Sequence, residues 1–263
     1  MICTVLLDGE YYYLDATEKY SDLNAYAYRI EGKDVMIEDG EDFLIKKIPV
    51  TDLSNNRESY TFSFGIDDDV LHGQAIVEVA GNRKTWLYNV LNSYKGSAQN
   101  EVLNSYLSNS DKNIFVDFGA NKIDLQRDGD FECEYKITID NQVTKLADEL
   151  YLSLEFDQTY KSSSIPEDRT RPLTLRQRYY ISAETELKLP ENATVSYIPE
   201  PVKVVNDKYE FLLSYVKKES SIYYEKYIKI KSPILEVDEF EAWNKAIQSI
   251  SDFYSDQLIF QLD

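Results

Sequence analysis

The chain is poor in the residues on which most covalent and metal chemistry depends. Its 263 residues include a single histidine, His72, and two cysteines, Cys3 and Cys133. Cysteines this few and this far apart make neither a disulfide framework nor a CxxC-type metal site, and no bond between them is expected. No apolar run approaches the roughly 20 residues of a membrane-spanning helix. The opening MICTVLLDGEYYYLD has no charged region ahead of a cleavage site and reads as an interior strand, so the chain shows no export signal of its own. Basic residues are also scarce: 28 Lys and Arg against 47 Asp and Glu, a formal net charge of -19. Phosphate contacts need clustered Lys and Arg, which argues against nucleic acid or an anionic membrane surface as partner.

What the chain does have is bulk suited to strands. Hydrophobic residues make up 43%, aromatics 13%, and tyrosine occurs 22 times, a bias toward side chains that pack on a half-buried pleated surface. Asp8-Gly9 between two alternating runs is a hairpin signal that pairs residues 2–7 with 10–15. Similar turns recur at Glu31-Gly32, Asp39-Gly40, Asp128-Gly129, Asp140-Asn141 and Asn206-Asp207, among β-prone stretches such as YTFSF, AIVEV, YKITI, LYLSLEF and YEFLLSYV. Repeated hairpins predict a mainly β protein of antiparallel, sandwich-like sheets.

Helical periodicity interrupts the strands in two places. Trp86, Leu87, Val90, Leu91 and Tyr94, then Val102, Leu103, Tyr106 and Leu107, follow the 3.6-residue period of two amphipathic helices split near Gly96. Near the end, Asp238 followed by Glu241 resembles a capping box, and Phe240, Trp243, Ile247, Ile250 and Tyr254 form one helical stripe expected to pack on a sheet. Residues 161–172, KSSSIPEDRTRP, lack periodicity and contain two prolines, and so predict a long loop and an internal boundary. The expected divisions are 1–50, 51–160 and 161–263.

Candidate chemistry is thin. His72, in DDDVLHGQ, has no cysteine near it in sequence and reads as a solvated or loop-stabilising side chain rather than a catalytic base. Asp67, Asp68 and Asp69, and Asp128, Asp130 and Glu132, raise the idea of calcium, but neither group matches the D-x-D-x-D-G loop or supplies a placed bidentate glutamate. No metal or cofactor is expected. Asn192-Ala-Thr194 fits a glycosylation sequon. The tyrosine runs at 11–13, 179–180 and 223–224 should place alternate rings on opposite sheet faces, where the outward rings could form a platform for glycan or peptide.

The first hairpin carries more information. ICTVLLDGEYYYLDAT resembles the stretch of transglutaminase-like proteins that runs from just after a catalytic histidine to a catalytic aspartate, and the matching residues here are Tyr13-Leu14-Asp15-Ala16-Thr17. The resemblance makes Asp15 the orienting carboxylate of a Cys-His-Asp triad. In the hairpin register Ile2 faces Asp15, and a histidine immediately before Met1 would face Thr17, diagonal to Asp15. Cys3 pairs with Leu14 and faces away from Asp15, so it is expected to be a small buried side chain rather than the nucleophile.

The rest of the chain resembles the region downstream of that core in bacterial multidomain proteins, with likenesses at residues 29–37, His72-Gly73, Arg171-Pro172-Leu173, Leu189-Pro190, Tyr197-Ile198-Pro199 and Leu258-Ile259-Phe260. The resemblance implies that 1–50 are the last hairpins of a transglutaminase-like core. It makes the remainder a non-catalytic β region that supports, or binds for, an amide-bond hydrolase or acyl transferase. This chain alone would not be an enzyme, its partner would be the upstream core of the same polypeptide, and its place would be the bacterial periplasm or cell surface. The competing readings are a stand-alone glycan- or protein-binding β-sandwich module and an inactive homologue.

Overall fold

The computed structural model describes residues 2–15, 17–22, 25–119, 125, 129–175 and 177–262. Two hairpins come first: β1 (Cys3–Leu7) with β2 (Glu10–Leu14), and β3 (Asp34–Asp39) with β4 (Asp42–Lys47). Asp8 and Gly9 both take positive φ, 51° and 85°, as a two-residue hairpin turn that follows the strand twist requires. After a 3-10 turn at Leu53–Asn55 come β5 (Arg57–Asp67), β6 (Val70–Val79), α1 (Gly81–Asn92), α2 (Ser97–Leu107), β7 (Ile114–Asp117) and β8 (Phe131–Ile139). The chain continues through β9 (Val143–Leu146), β10 (Glu149–Leu152), β11 (Leu173–Thr174), β12 (Tyr179–Lys188), β13 (Ala193–Tyr197), β14 (Val202–Val205), β15 (Tyr209–Lys218) and β16 (Ser221–Ile230). It closes with β17 (Ile234–Leu235), α3 (Phe240–Ser255) and β18 (Leu258–Leu262).

The fold is mainly β, as the hairpin signals predict, and its centre is an eight-stranded sheet in the order β14-β15-β16-β12-β5-β6-β8-β7. Six of its seven neighbour contacts are antiparallel, but β5 and β12 run parallel. This pairing joins strands from either side of the loop at 161–172, so the boundary expected at 161 lies inside one sheet. A smaller sheet, β13-β18-β10-β9, contributes Leu150, Leu152, Leu258 and Phe260 to the same buried core. LYLSLEF is therefore only half a strand: β10 ends at Leu152, and the chain beyond it runs on as irregular backbone packed on the large sheet, with Leu154 hydrogen-bonded to Tyr215, Glu155 to Lys226 and Phe156 against Phe62.

Alternation decides what each face of the large sheet carries. One row across the inner face reads Phe211, Ile228, Ile181, Glu58, Val79 and Phe131. The next reads Leu213, Lys226, Ala183, Tyr60, Val77 and Cys133. On the outer face Tyr180 stacks on Tyr227, and Tyr223 and Tyr227 donate to Glu186 and Glu184. The tyrosine pairs thus divide as the period of two requires, with Tyr224 buried beneath the sheet and Tyr223 above it.

The three helices cover the inner face. On α3 the expected stripe of Phe240, Trp243, Ile247, Ile250 and Tyr254 is buried throughout. Trp243 packs edge-on against Tyr209 and Tyr160 and donates from Nε1 to the Ser163 carbonyl at 2.8 Å. Asn244 exchanges two hydrogen bonds with the Ile165 backbone, so the long loop is pinned to α3. The capping box lies two residues earlier than Asp238 and Glu241: Glu236 and Glu239 form it, because a 3-10 turn at Val237–Glu239 precedes the helix.

The first two hairpins have a small core of their own around Tyr13, Tyr26 and Ile48. They are tied to α1 by Tyr20 packed edge-on against Tyr88 and by Lys84, whose fully buried Nζ lies 2.9 Å from Asp22 and 2.7 Å from the Gly129 carbonyl.

One position in β6 admits glycine alone. A Cβ at Gly73 would collide with the Ser63 carbonyl oxygen and lie 2.7 Å from Phe64 Cδ1, so the Phe64 ring occupies the space a side chain would need. Gly73→Ala is expected to lower stability by about 1–3 kcal/mol, the usual cost of overpacking. Gly65→Ala, on the partner strand with open space around it, should cost clearly less in the same urea titration.

Candidate functional site

Asp15 stands just past the end of β2. Its carboxylate accepts from the Thr17 backbone N–H at 3.1 Å, from the Thr17 hydroxyl at 2.7 Å, and from Arg29, whose guanidinium also reaches Glu18. Desolvation pushes the carboxyl up, but the two Thr17 hydrogen bonds and the Arg29 charge together outweigh it and hold Asp15 below the usual carboxylate range. The group is ionised and fixed in direction, and a carboxylate has room for a further donor. A cleft of about 320 Å³ opens beside it, lined by Tyr13, Glu18, Lys19 and Tyr26. Ala16, in the middle of the motif, lies outside the described residues.

The other sequence candidates are dispersed. Cys3 pairs with Leu14 as the hairpin register requires, but it is exposed rather than buried, because that face of β1 has no covering layer. Cys133 lies on β8 and is also a free thiol. His72 is exposed on β6, its Nδ1 3.2 Å from the Thr138 hydroxyl. Asp68 takes a positive φ of 57° in the β5–β6 hairpin turn, and Asp130 accepts from Arg57 at 2.8 Å; Asp128 lies outside the described residues. Among the described residues no three His, Cys, Asp or Glu side chains converge as a metal site. No helix among them is long and apolar enough to cross a membrane.

A second concavity is one the sequence did not announce. A cavity of about 580 Å³ lies under the inner face at the β5–β12 junction, roofed by α1, the end of α2 and the irregular backbone around residues 154–160. Its floor is low because Ala183 lies between Lys226 and Tyr60 in the sheet register. Two charged clusters flank that gap. On one side Glu58, only 4% exposed, accepts from the Tyr60 and Tyr106 hydroxyls and from Nε and Nη2 of Arg83. On the other, Lys226 donates to Glu155 at 2.7 Å and to the Asp157 carbonyl, while Glu155 also accepts from Tyr224 and the Asp157 N–H.

Burial sets the electrostatics of both clusters. It pushes the Glu155 carboxyl up against the opposing pull of Lys226 and Tyr224. It also raises the Tyr60 and Tyr106 phenols far above their ordinary range, reinforced in both by the Glu58 charge and in Tyr60 by the Tyr106 phenol as well, so both remain donors at any physiological pH.

A signal for these residues existed in the strand pattern. Glu58 heads the inward series Glu58, Tyr60, Phe62, Phe64, and Lys226 interrupts Ile222, Tyr224, Ile228, Ile230. A lone charge in the apolar register of an alternating strand marks a buried, paired group. Glu155 and Arg83 carried no such mark, since one lies in irregular backbone and the other on a helix.

The side chains of Lys226 and Glu155 are each 2% exposed, and removing one partner of such a pair strands the other. Lys226→Met or Glu155→Gln alone should cost about 3–5 kcal/mol, and the double substitution less than the sum; additive losses in chemical denaturation would show that the two are not coupled. Burial also pushes the Cys133 thiol up to about 11. Iodoacetamide at neutral pH should therefore label exposed Cys3 in the native protein well before Cys133, as read by peptide mass.

Two comparisons bear on the chain. A search of curated proteins gives no match. Residues 148–260 match the family model of a domain of unknown function with a solved structure, DUF3858; that stretch, less than half of the chain, runs from β10 through β18 and is similar to that domain.

Proposed function

We propose that this chain is the non-catalytic C-terminal β region of a transglutaminase-like protein, with Asp15 as the orienting carboxylate of a Cys-His-Asp triad completed by residues upstream. The observation that carries the reading is the state of Asp15. Thr17 and Arg29 keep it ionised and aimed, which is what an imidazole needs from the third member of a triad. A second feature agrees: Val5, Leu6 and Leu7 on β1 and Met36, Phe43 and Ile45 on the β3–β4 hairpin are exposed apolar side chains, concentrated where the rest of such a core would pack.

On this reading the large sheet and its helices act as a support or binding region. The intact polypeptide would act on amide bonds by hydrolysis or acyl transfer through a thioester, in the bacterial periplasm or at the cell surface. The exposed rings Tyr28, Phe43, Trp86, Tyr94, Phe115 and Tyr197 are spread over separate elements, which does not favour a one-faced glycan platform.

The test uses the polypeptide that carries this chain behind its natural upstream residues. Alkylation of the nucleophilic thiol by iodoacetamide near pH 6, where unactivated thiols are slow, should fall about 100-fold or more in Asp15→Asn. An unchanged rate, or a gene in which no coding sequence precedes Met1, overturns the assignment.

A further inference from the structure

The cavity at the β5–β12 junction shares no lining residue with the cleft at Asp15, and what it can hold is decided by its own chemistry. We propose that it binds a small amphipathic carboxylate, an apolar or aromatic body carrying one acid group, with the body against the ring-lined walls and the acid on Arg83.

Size and lining come first. At about 580 Å³ the space falls within the roughly 300–1,000 Å³ of small-molecule sites. Flat rings stand around it: Tyr60 and Phe62 stack, Phe156 meets Phe62 edge-on, Trp86 tilts against Tyr106, and Tyr160 stacks on Tyr179. Ring faces and edges of this kind favour a second aromatic or branched apolar body.

The polar groups then select the charge. Glu58 accepts two hydrogen bonds on each carboxylate oxygen, from Tyr60 and Tyr106 on one and twice from Arg83 on the other, which exhausts its lone pairs. Glu155 accepts from Lys226, Tyr224 and the Asp157 N–H, and Lys226 is held by Glu155 and a carbonyl. Asp157, which also lines the cavity, accepts among the described residues from Thr159 on Oδ2 alone, so it and Glu155 Oε2 keep acceptor capacity, and the acid belongs on the Arg83 side of the gap, across from them. Arg83 is different. Its Nε and Nη2 face Glu58, but among the described residues Nη1 has no hydrogen-bond partner, and the guanidinium lies over Trp86 at 5.7 Å. An arginine already oriented by one carboxylate and a ring presents its remaining N–H groups to a second acid with little further ordering.

Three matched probes test this on the chain as it stands at physiological salt: 1-naphthaleneacetic acid, its primary amide, and 1-naphthylmethylamine. The acid should raise the thermal midpoint saturably, change Trp86 fluorescence, and bind at least tenfold tighter than the amide or the amine. Ala183→Leu, which fills the gap between Lys226 and Tyr60, should abolish binding while circular dichroism and the midpoint of the free protein stay native-like. Trp86→Phe, at a half-exposed position, should keep the thermal shift but lose most of the fluorescence change, which locates the probe without disturbing the core. Absence of saturable binding to the wild-type chain overturns the proposal. So does equal or tighter binding of amide or amine, or acid binding that survives in folded Ala183→Leu. None of these readouts depends on Asp15, so the two assignments stand or fall separately.

Discussion

The parallel pairing of β5 with β12 is the contact on which the rest of the molecule depends. Strands β5 to β8 and the set of β12 with β14 to β16 are each linked by antiparallel neighbours, and without this pairing each set would present an open edge. Eight residues of β12 lie opposite β5, from Tyr180 on Arg57 to Leu187 on Phe64. The pairing aligns the inward rows of the two sets, so that a core under α1 and α2 continues into the core under α3. It is also a contact of high sequence separation, since more than a hundred residues lie between its partners. Loop closure on that scale makes this sheet slow to assemble relative to its hairpins.

That junction is also where the core is least ordinary. Most inward positions are filled by Phe, Tyr, Ile, Leu and Val, but next to the seam lie Glu58, Lys226 and the small Ala183. Two buried ion clusters beside a void are costly compared with an apolar filling of the same space. A fold that needed only stability would close such a gap with a larger side chain at 183. Glu58, Glu155 and Lys226 are instead each held by several hydrogen bonds, and the space between the two clusters is left open.

The N-terminal hairpins present a different balance. Their cluster of Tyr13, Tyr26 and Ile48 is small, and their attachment to α1 relies on Lys84 and on the Tyr20–Tyr88 contact. Their outer surfaces carry aliphatic side chains that no element among the described residues covers. Asp15 lies at the edge of this unit, with its carboxylate held by Thr17 and Arg29.

The sequence by itself determined the local structure. Asp8-Gly9 specifies its turn because glycine tolerates positive φ, the helical stripe on α3 reports its buried face because the 3.6 period leaves no other, and the tyrosine pairs divide between faces because strands alternate. The lone charges Glu58 and Lys226 were visible as breaks in an apolar register, though not as neighbours of one space. Only the tertiary structure decided the rest: the parallel seam, the single sheet across the loop at 161–172, the exposure of Cys3, and the cavity. Each of these depends on which distant segment lies alongside, and local propensity and periodicity carry no information about that. Arg83, Glu155 and Ala183 come to one place through strand order and helix docking, and those are properties of the packed whole.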